Sequence, residues 1–435
     1  MPCRMISYQS NDDWKGIREL LAGRDNPDNS VEPVVREILH HVHTEGDKAL
    51  VHYTQKFDCP SFTEDMVRVS EATLAKAAQD IPAEDFDIIK EAAHNIRTFH
   101  ENQKEKSWFT TSEDGTILGQ VVRPVDRAGL YVPGGQGGDT PLISSMLMNV
   151  IPAQVAGVEN ICVVSPPRAD GVPNQYILAA AHHLGITDVF ACGSAWAIAA
   201  LAYGTETIPA VDVIAGPGNI FVTTAKRMFI GTVGIDMVAG PSEILILADK
   251  TGNPVQIAAD MLSQAEHDPL ASAILVTDDE QLASAVREEL GTQTALLPRN
   301  EIAATALKDW SAIVVTPDMA TAVELSNNVA PEHLEVIVED PWALLPTIRN
   351  AGAIFMGANS PEPVGDYFAG PNHVLPTNGT ARFSSALSVE TFTKKSSIIA
   401  ASASFTQKNA PKIARLARLE GLEAHARSAE TRLKN

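Results

Sequence analysis

The sequence predicts an α/β fold of two domains, each built around a parallel sheet. Strand-like and helix-like segments alternate from about residue 140 to residue 357, the pattern of βαβ units. A chain of 435 residues with 45% hydrophobic content can bury more than one core, and length alone suggests about two to three domains. No internal repeat or low-complexity run interrupts this plan.

Taken in order, residues 1 to about 105 read as helices. VEPVVREILHHVH and EDFDIIKEAAHNIRTFH carry apolar side chains at helical spacing, and Ser70 before ATLAKAAQ marks another helix start. TILGQVVRPVDRAGLYVPGG (116 to 135) is rich in β-branched residues and broken by Gly and Pro, so it reads as strands running into a loop. The first alternating set is NICVVSPP, QYILAAAHHLG, DVFACG, AWAIAALAYG, VDVIAG and NIFVTTAKRMF. A second set follows: SEILILAD, a helix around 254 to 267, ASAILVTDD, a helix around 279 to 290, AIVVT, a helix around 318 to 328, LEVIVED and AIFMG. After SALSVETFTKKSS the last segment, PKIARLARLEGLEAHARSAETRLKN (411 to 435), reads as an Arg-rich helical tail.

Charge and composition exclude several classes. Asp plus Glu total 54 against 33 Lys plus Arg, a net charge of −21, which repels phosphate backbones and anionic lipid. Neither nucleic acid nor membrane is expected as a partner. PLISSMLMNVIPAQVAGV (141 to 158) carries two prolines and several polar groups, short of the ~20 apolar residues of a membrane span, and reads as a core segment. The first residues, MPCRMISYQSNDDW, offer no apolar signal. Cys3, Cys59, Cys162 and Cys192 are too sparse for a disulfide framework, so a cytoplasmic location with free thiols is expected.

Of the twelve histidines, His40, His41 and His43 point different ways on one helix, and His182 and His183 end another. Both groups read as structural. GPGN (216 to 219) and VPGGQGGDTP (132 to 141) each join a strand-like run to a helix start, where bare amides can approach a phosphate, although a tight turn explains either equally well. Neither G-x-G-x-x-G nor a Walker motif is present. In the helix read as ending at His267, Ile257, Met261, Leu262 and Ala265 form an apolar face, with Asp260, Gln264 and His267 opposite. Gln264 and His267 could converge on a metal, or could form a solvated face. Gln is a weak neutral ligand, so a metal would need an anionic partner and further imidazole, for which Asp366 and His425 are available. In NVAPEHLEV, Glu332 and His333 sit side by side between a helix and a strand-like run. A loop there could aim two bases of different pKa into one cleft, or could be an ordinary connection.

Together these motifs resemble the histidinol dehydrogenases along nearly the whole chain: GLYVPGG (129 to 135), ALAYGTE (200 to 206), AGPGNIFV (215 to 222), IDMVAGPSEILILAD (235 to 249), LSQAEHD (262 to 268), APEHLEV (330 to 336), VGDYFAGPNHVLPT (364 to 377), ARFSSALSV (381 to 389) and RLEGLEAHARSAE (418 to 430). The resemblance implies two incomplete Rossmann-like domains, one inserted in the other, with a short N-terminal helical segment and a helical C-terminal tail. The implied boundaries are 1–25, then 26–129 with 242–385 for metal and substrate, 130–241 for NAD, and 386–435 for a tail that crosses a homodimer and completes the neighbour's site. It also implies zinc-dependent, NAD-linked oxidation of L-histidinol through L-histidinaldehyde to L-histidine, with one Zn2+ per subunit. Metal ligands map to Gln264, His267, Asp366 and His425, and the acid–base pair to Glu332 and His333. Substrate contacts map to Ser242, His373 and Glu420 with the ligands and His333, and NAD contacts to Tyr131 and Asn219.

One departure stands out. Where the family usually carries a cofactor-contacting Gln, this chain has Trp196, within CGSAW; an indole there could stack on adenine or ribose but cannot make the same hydrogen bonds. Glu420 and His425, five apart, share no helical face, yet Gly421 would let the backbone turn between them. Two other readings compete: a paralogous dehydrogenase of another small alcohol, and a zinc hydrolase in which Glu332 activates water.

Overall fold

A computed structural model describes residues 3–24, 31–134 and 141–433. Its contacts divide the chain into two compact units, residues 1–103 with 126–392 and residues 104–125 with 393–435. Residues 135–140 of the VPGGQGGDTP loop lie outside the described residues.

The larger unit holds two parallel sheets. The six-stranded sheet runs in the order Arg4–Ser7, Ala312–Val315, Ser272–Thr277, Glu243–Ala248, His333–Ile337, Ala353–Met356. Alternate residues of its strands face opposite cores. Ile244, Ile246, Ala273, Leu275 and Ile313 pack with Ile257 and Met261 of the helix Pro254–Ala265. Leu245, Leu247, Ile274, Val314, Leu334 and Val336 pack with Ile17, Leu20 and Leu325. The five-stranded sheet runs Asp188–Ala191, Asn160–Ser165, Arg127–Tyr131, Val213–Ala215, Gly234–Ile235. All its strands fall between the first and second strands, in sequence, of the six-stranded sheet, so one α/β layer is inserted in the other. The apolar stretch read as core is the helix Ile143–Ala156, buried over nearly all its length, and all four cysteines are free and buried.

Strand order fixes where clefts open. The chain builds the five-stranded sheet outward from Arg127–Tyr131 in one direction, then returns to add Val213–Ala215 on the other side. The same reversal separates Glu243–Ala248 from His333–Ile337 in the larger sheet. Such switch points leave a crevice between neighbouring strands.

Three expectations need correction. The first hundred residues are not all helix, because Arg4–Ser7 pairs in parallel with Ala312–Val315 as an edge strand; four residues are too few to show a period. A helix Asn300–Asp309, not anticipated, packs Ala303, Ala306 and Leu307 against the same sheet. The helical tail is present from Ala403, but the segment 386–435 implied by the resemblance also holds a strand, Thr393–Ala400, antiparallel over eight residues to Ile117–Pro124. That pairing, with Trp108–Thr111 on the far side of Ile117–Pro124, makes the smaller unit a three-stranded sheet with helices Ala403–Leu419 and Glu423–Glu430. The two helices meet through Ala414, Ala417 and Ala426 and are tied by Arg418 to Glu423 and Glu430.

Candidate active site

Glu332 and His333 sit at the entry to the strand His333–Ile337. The preceding helix ends at Ala330 in the left-handed region (φ 52°, ψ 61°), and Pro331 follows. Adjacent side chains would normally diverge, yet here both turn to one residue of the neighbouring strand. The Glu243 N–H donates to Glu332 Oε2 at 2.8 Å, and the Glu243 carbonyl lies 3.1 Å from His333 Nδ1. Both side chains are buried, with Glu332 Oε2 3.7 Å from His333 Nδ1.

A carbonyl only accepts, so His333 must carry its proton on Nδ1. Its Nε2 is then a bare lone pair, without a hydrogen-bond partner and 3.8 Å from Asp366 Oδ1. Burial lowers the His333 pKa, keeping the ring neutral. Burial raises that of Glu332 well above the usual carboxylate range, with the carboxylates of Glu243, Glu362 and Asp366 adding to the effect. The pair therefore offers two bases of distinct strength, one of them oriented by the backbone.

Beside His333 lies a group able to hold a cation. His333, Glu362 and Asp366 bring ligand atoms within 4.8 Å of one another, and burial pushes Asp366 up to about 7. Gln264, wholly buried, leaves both Oε1 and Nε2 without a partner. An unpaired buried amide and crowded carboxylates are costly without a positive charge to receive them, so these residues fit a divalent metal. The helix of Gln264 ends at Ala265 with Gln264 buried on it, whereas His267 follows in the turn beyond, exposed, so the two do not share a helical face. Asp366 is on the short helix Glu362–Tyr367, and its carbonyl lies 3.1 Å from His373 Nδ1. Burial lowers His373 to about 4. Ser242, His267 and Asp268 line a cavity of about 580 Å3 together with Pro217, Gly218 and Asn219 of the GPGN loop.

That loop lies at the switch point of the five-stranded sheet. Gly216 follows Val213–Ala215 with φ +119°, and a β-carbon there would stand 2.1 Å from the Tyr131 carbonyl oxygen. Only glycine allows the two strand ends to approach so closely. A buried Lys226–Asp236 pair clamps Gly216 from both sides, Lys226 donating to its carbonyl and Asp236 accepting from its N–H. Asn219 caps the helix Ile220–Met228 by accepting from the Phe221 and Val222 amides, and Tyr131 OH accepts from the Ser194 N–H. Trp196 does not present a face for stacking on a nucleotide. It is 4% exposed and stacks against Tyr53 and Phe57, ring centroids 5.6 Å away in each case.

Glu420 and His425 belong to the smaller unit. Glu420 ends the helix Ala403–Leu419, Gly421 turns with φ +76°, and His425 lies exposed on Glu423–Glu430. The glycine turn expected between them is present.

The sequence did not reveal Glu243, Glu362 or Arg24. Glu243 acts through its backbone, which no side-chain pattern records. Glu362 reads as an ordinary acidic residue in a helix first turn. Arg24 is 1% exposed, and burial of one arginine leaves no periodic trace.

A buried carboxylate–imidazole pair next to a group able to hold a cation, on an α/β fold of two parallel sheets with switch-point crevices, defines an enzyme equipped for proton transfer. The comparisons with known proteins name it more closely: the sequence profile of the family "Histidinol dehydrogenase" matches residues 22–433, and the chain belongs to that family of oxidoreductases of histidine biosynthesis. It is 69% identical over 433 residues to the histidinol dehydrogenase of Oleidesulfovibrio alaskensis, covering 100% of both chains. Identity to that of Bacillus subtilis is 54% over 398 residues, 92% of each. The crystal structure of histidinol dehydrogenase from Elizabethkingia anophelis superposes with a TM-score of 0.91 at 37% identity, covering 99% of this chain and 98% of that one.

Proposed function

We propose that this protein carries out the NAD-linked, zinc-dependent four-electron oxidation of L-histidinol through L-histidinaldehyde to L-histidine, the last step of histidine biosynthesis, in the cytoplasm. The observation that carries the reading is the shared anchoring of Glu332 and His333 on Glu243, with Glu362 and Asp366 gathered beside His333. The cavity from Asn219 to Ser242 and His267 supports a cofactor at one end and substrate at the other. No helix among the described residues is long and apolar enough to cross a membrane.

Gln264, His267 and Asp366 would hold the zinc, with His425 as fourth ligand. Bound there, the ion would supply a fixed charge that grips the imidazole and amino nitrogens of the substrate. NAD would occupy the crevice at Tyr131 and Asn219 and accept hydride. His333, through Nε2, takes the hydroxyl proton as the carbinol carbon loses hydride. Glu332 then takes a proton from the water that adds to the aldehyde, giving the hydrate that loses the second hydride. Ser242, His373 and Glu420 orient the substrate.

We take His425 and Glu420 to act in the partner subunit of a homodimer. The smaller unit leaves Ile399, Leu416 and Leu419 63–77% exposed, a large apolar surface for a soluble chain. A second opening of about 720 Å3, bordered by Asp366, His373 and Phe355, offers a place for such a tail. NADH formation from L-histidinol, before and after chelation, tests the activity. Two NADH per histidinol with loss on zinc removal are expected; product without NADH, or turnover indifferent to chelation, overturns it.

A further inference from the structure

Arg24 stands outside the acid–base pair and outside the ligand set, yet its guanidinium reaches three parts of the site. Nη1 donates to Glu243 Oε2 at 2.8 Å. Nη2 donates to the carbonyls of Pro241 and Ser242 at 3.0 and 2.9 Å, and Nε to that of Leu270 at 2.8 Å. The side chain is 1% exposed. Ser242 is the proposed substrate contact, Leu270 follows His267 in the turn, and Glu243 is the residue whose N–H and carbonyl hold Glu332 and His333.

We infer that Arg24 is a positioning residue for the proton transfers, acting through the backbone of Glu243. The inference rests on the reading of Glu332 and His333 as the acid–base pair. A guanidinium is a rigid planar fork with five donors, and here four bonds in fixed directions lock the start of the strand Glu243–Ala248 against the turn after His267. Lysine would keep the charge and lose the fork, since one ammonium cannot reach four acceptors spread around a plane. The start of that strand would then be free to shift. Glu332 and His333, both hung on one peptide, would move together, and a displacement approaching about 1 Å costs on the order of 100-fold in rate. Arg24 touches Ser242 only at its backbone carbonyl and makes no hydrogen bond with the ligands Gln264, His267 and Asp366, so substrate affinity should change less than turnover.

The site offers a direct chemical test. Arg24 and Glu243 also line a cavity of about 360 Å3 that Arg18 and Asn378 border, so a small cation can approach the space the guanidinium occupies. Arg24→Lys and Arg24→Ala, as full-length zinc-loaded protein, are assayed for NADH formation with L-histidinol and, separately, with L-histidinaldehyde. Hydrogen–deuterium exchange is followed in the peptides covering 241–248 and 331–337. Expected for Arg24→Lys are a kcat lower by about 30- to 100-fold in both half-reactions, a KM within about threefold of the parent, and faster exchange in both peptides. Millimolar ethylguanidinium should restore part of kcat to Arg24→Ala. Parent-like kcat in folded Arg24→Lys, or unchanged exchange in both peptides, overturns the inference, as does an activity loss that only tracks the unfolded fraction. An inactive parent enzyme would instead refute the proposed function, and the exchange measurement would still decide whether Arg24 holds Glu243.

Discussion

Gln264 should cost the protein stability that only the metal returns. Its amide is fully buried, and neither end has a partner. Each buried unsatisfied polar group costs about 1–3 kcal/mol, whereas an apolar group of similar shape costs little. Gln264→Leu should therefore stabilise the chelated protein by about 2 kcal/mol after some loss of fit. With an unfolding entropy of about 2.1 cal/mol/K per residue, that is a rise of roughly 2 °C in Tm for a chain of this length. Zinc at a thousand times its Kd should stabilise the parent by about 4 kcal/mol. The leucine variant should gain much less. Scanning calorimetry of both proteins, chelated and zinc-loaded, reads all four values. A chelated variant melting below the chelated parent, or one that zinc lifts as much as the parent, would refute the assignment of Gln264 as a ligand held in readiness.

Two further outcomes are open to measurement. Burial raises the Asp58 carboxyl from 3.8 to about 6, so the folded state holds this proton more tightly than the unfolded state, and the group's contribution to stability falls as pH rises from about 4 through 6; Asp58→Asn should therefore stabilise by about 1–2 kcal/mol at pH 8 and by almost nothing near pH 4, and equal urea midpoints for the two proteins at pH 8 would contradict it. His425→Ala and Glu332→Ala, each inactive alone, should recover about a quarter of parental activity when refolded as an equal mixture, because half the dimers carry one intact site if the tail crosses over; no recovery despite demonstrated subunit exchange would place both residues in the same chain.

Much of the fold was legible because alternation of apolar strands and amphipathic helices is a local property. The strands at 243–248, 272–277, 312–315 and 333–337 and the helices between them, Asn300–Asp309 excepted, follow from that pattern. What escaped was short or paired at long range. Arg4–Ser7 finds its partner about three hundred residues away, and Thr393–Ala400 pairs with a segment whose own sequence says only that it is extended. At the site, a Glu and a His side by side in a loop could aim into one cleft or form an ordinary connection, and only the neighbouring strand's Glu243 shows how both are held.

By itself the sequence determined the two α/β layers, the glycine at 216 and the residue types able to hold a metal and move protons. Hydrophobic period and donor chemistry are written in nearby residues. The tertiary structure alone decided that Glu243 supplies one peptide to both bases and that Arg24 braces it. It also decided that the indole of Trp196 is taken up by Tyr53 and Phe57. Each of these depends on which strand or helix lies beside another, and strand order is fixed by packing of the whole chain, not by any local run of residues.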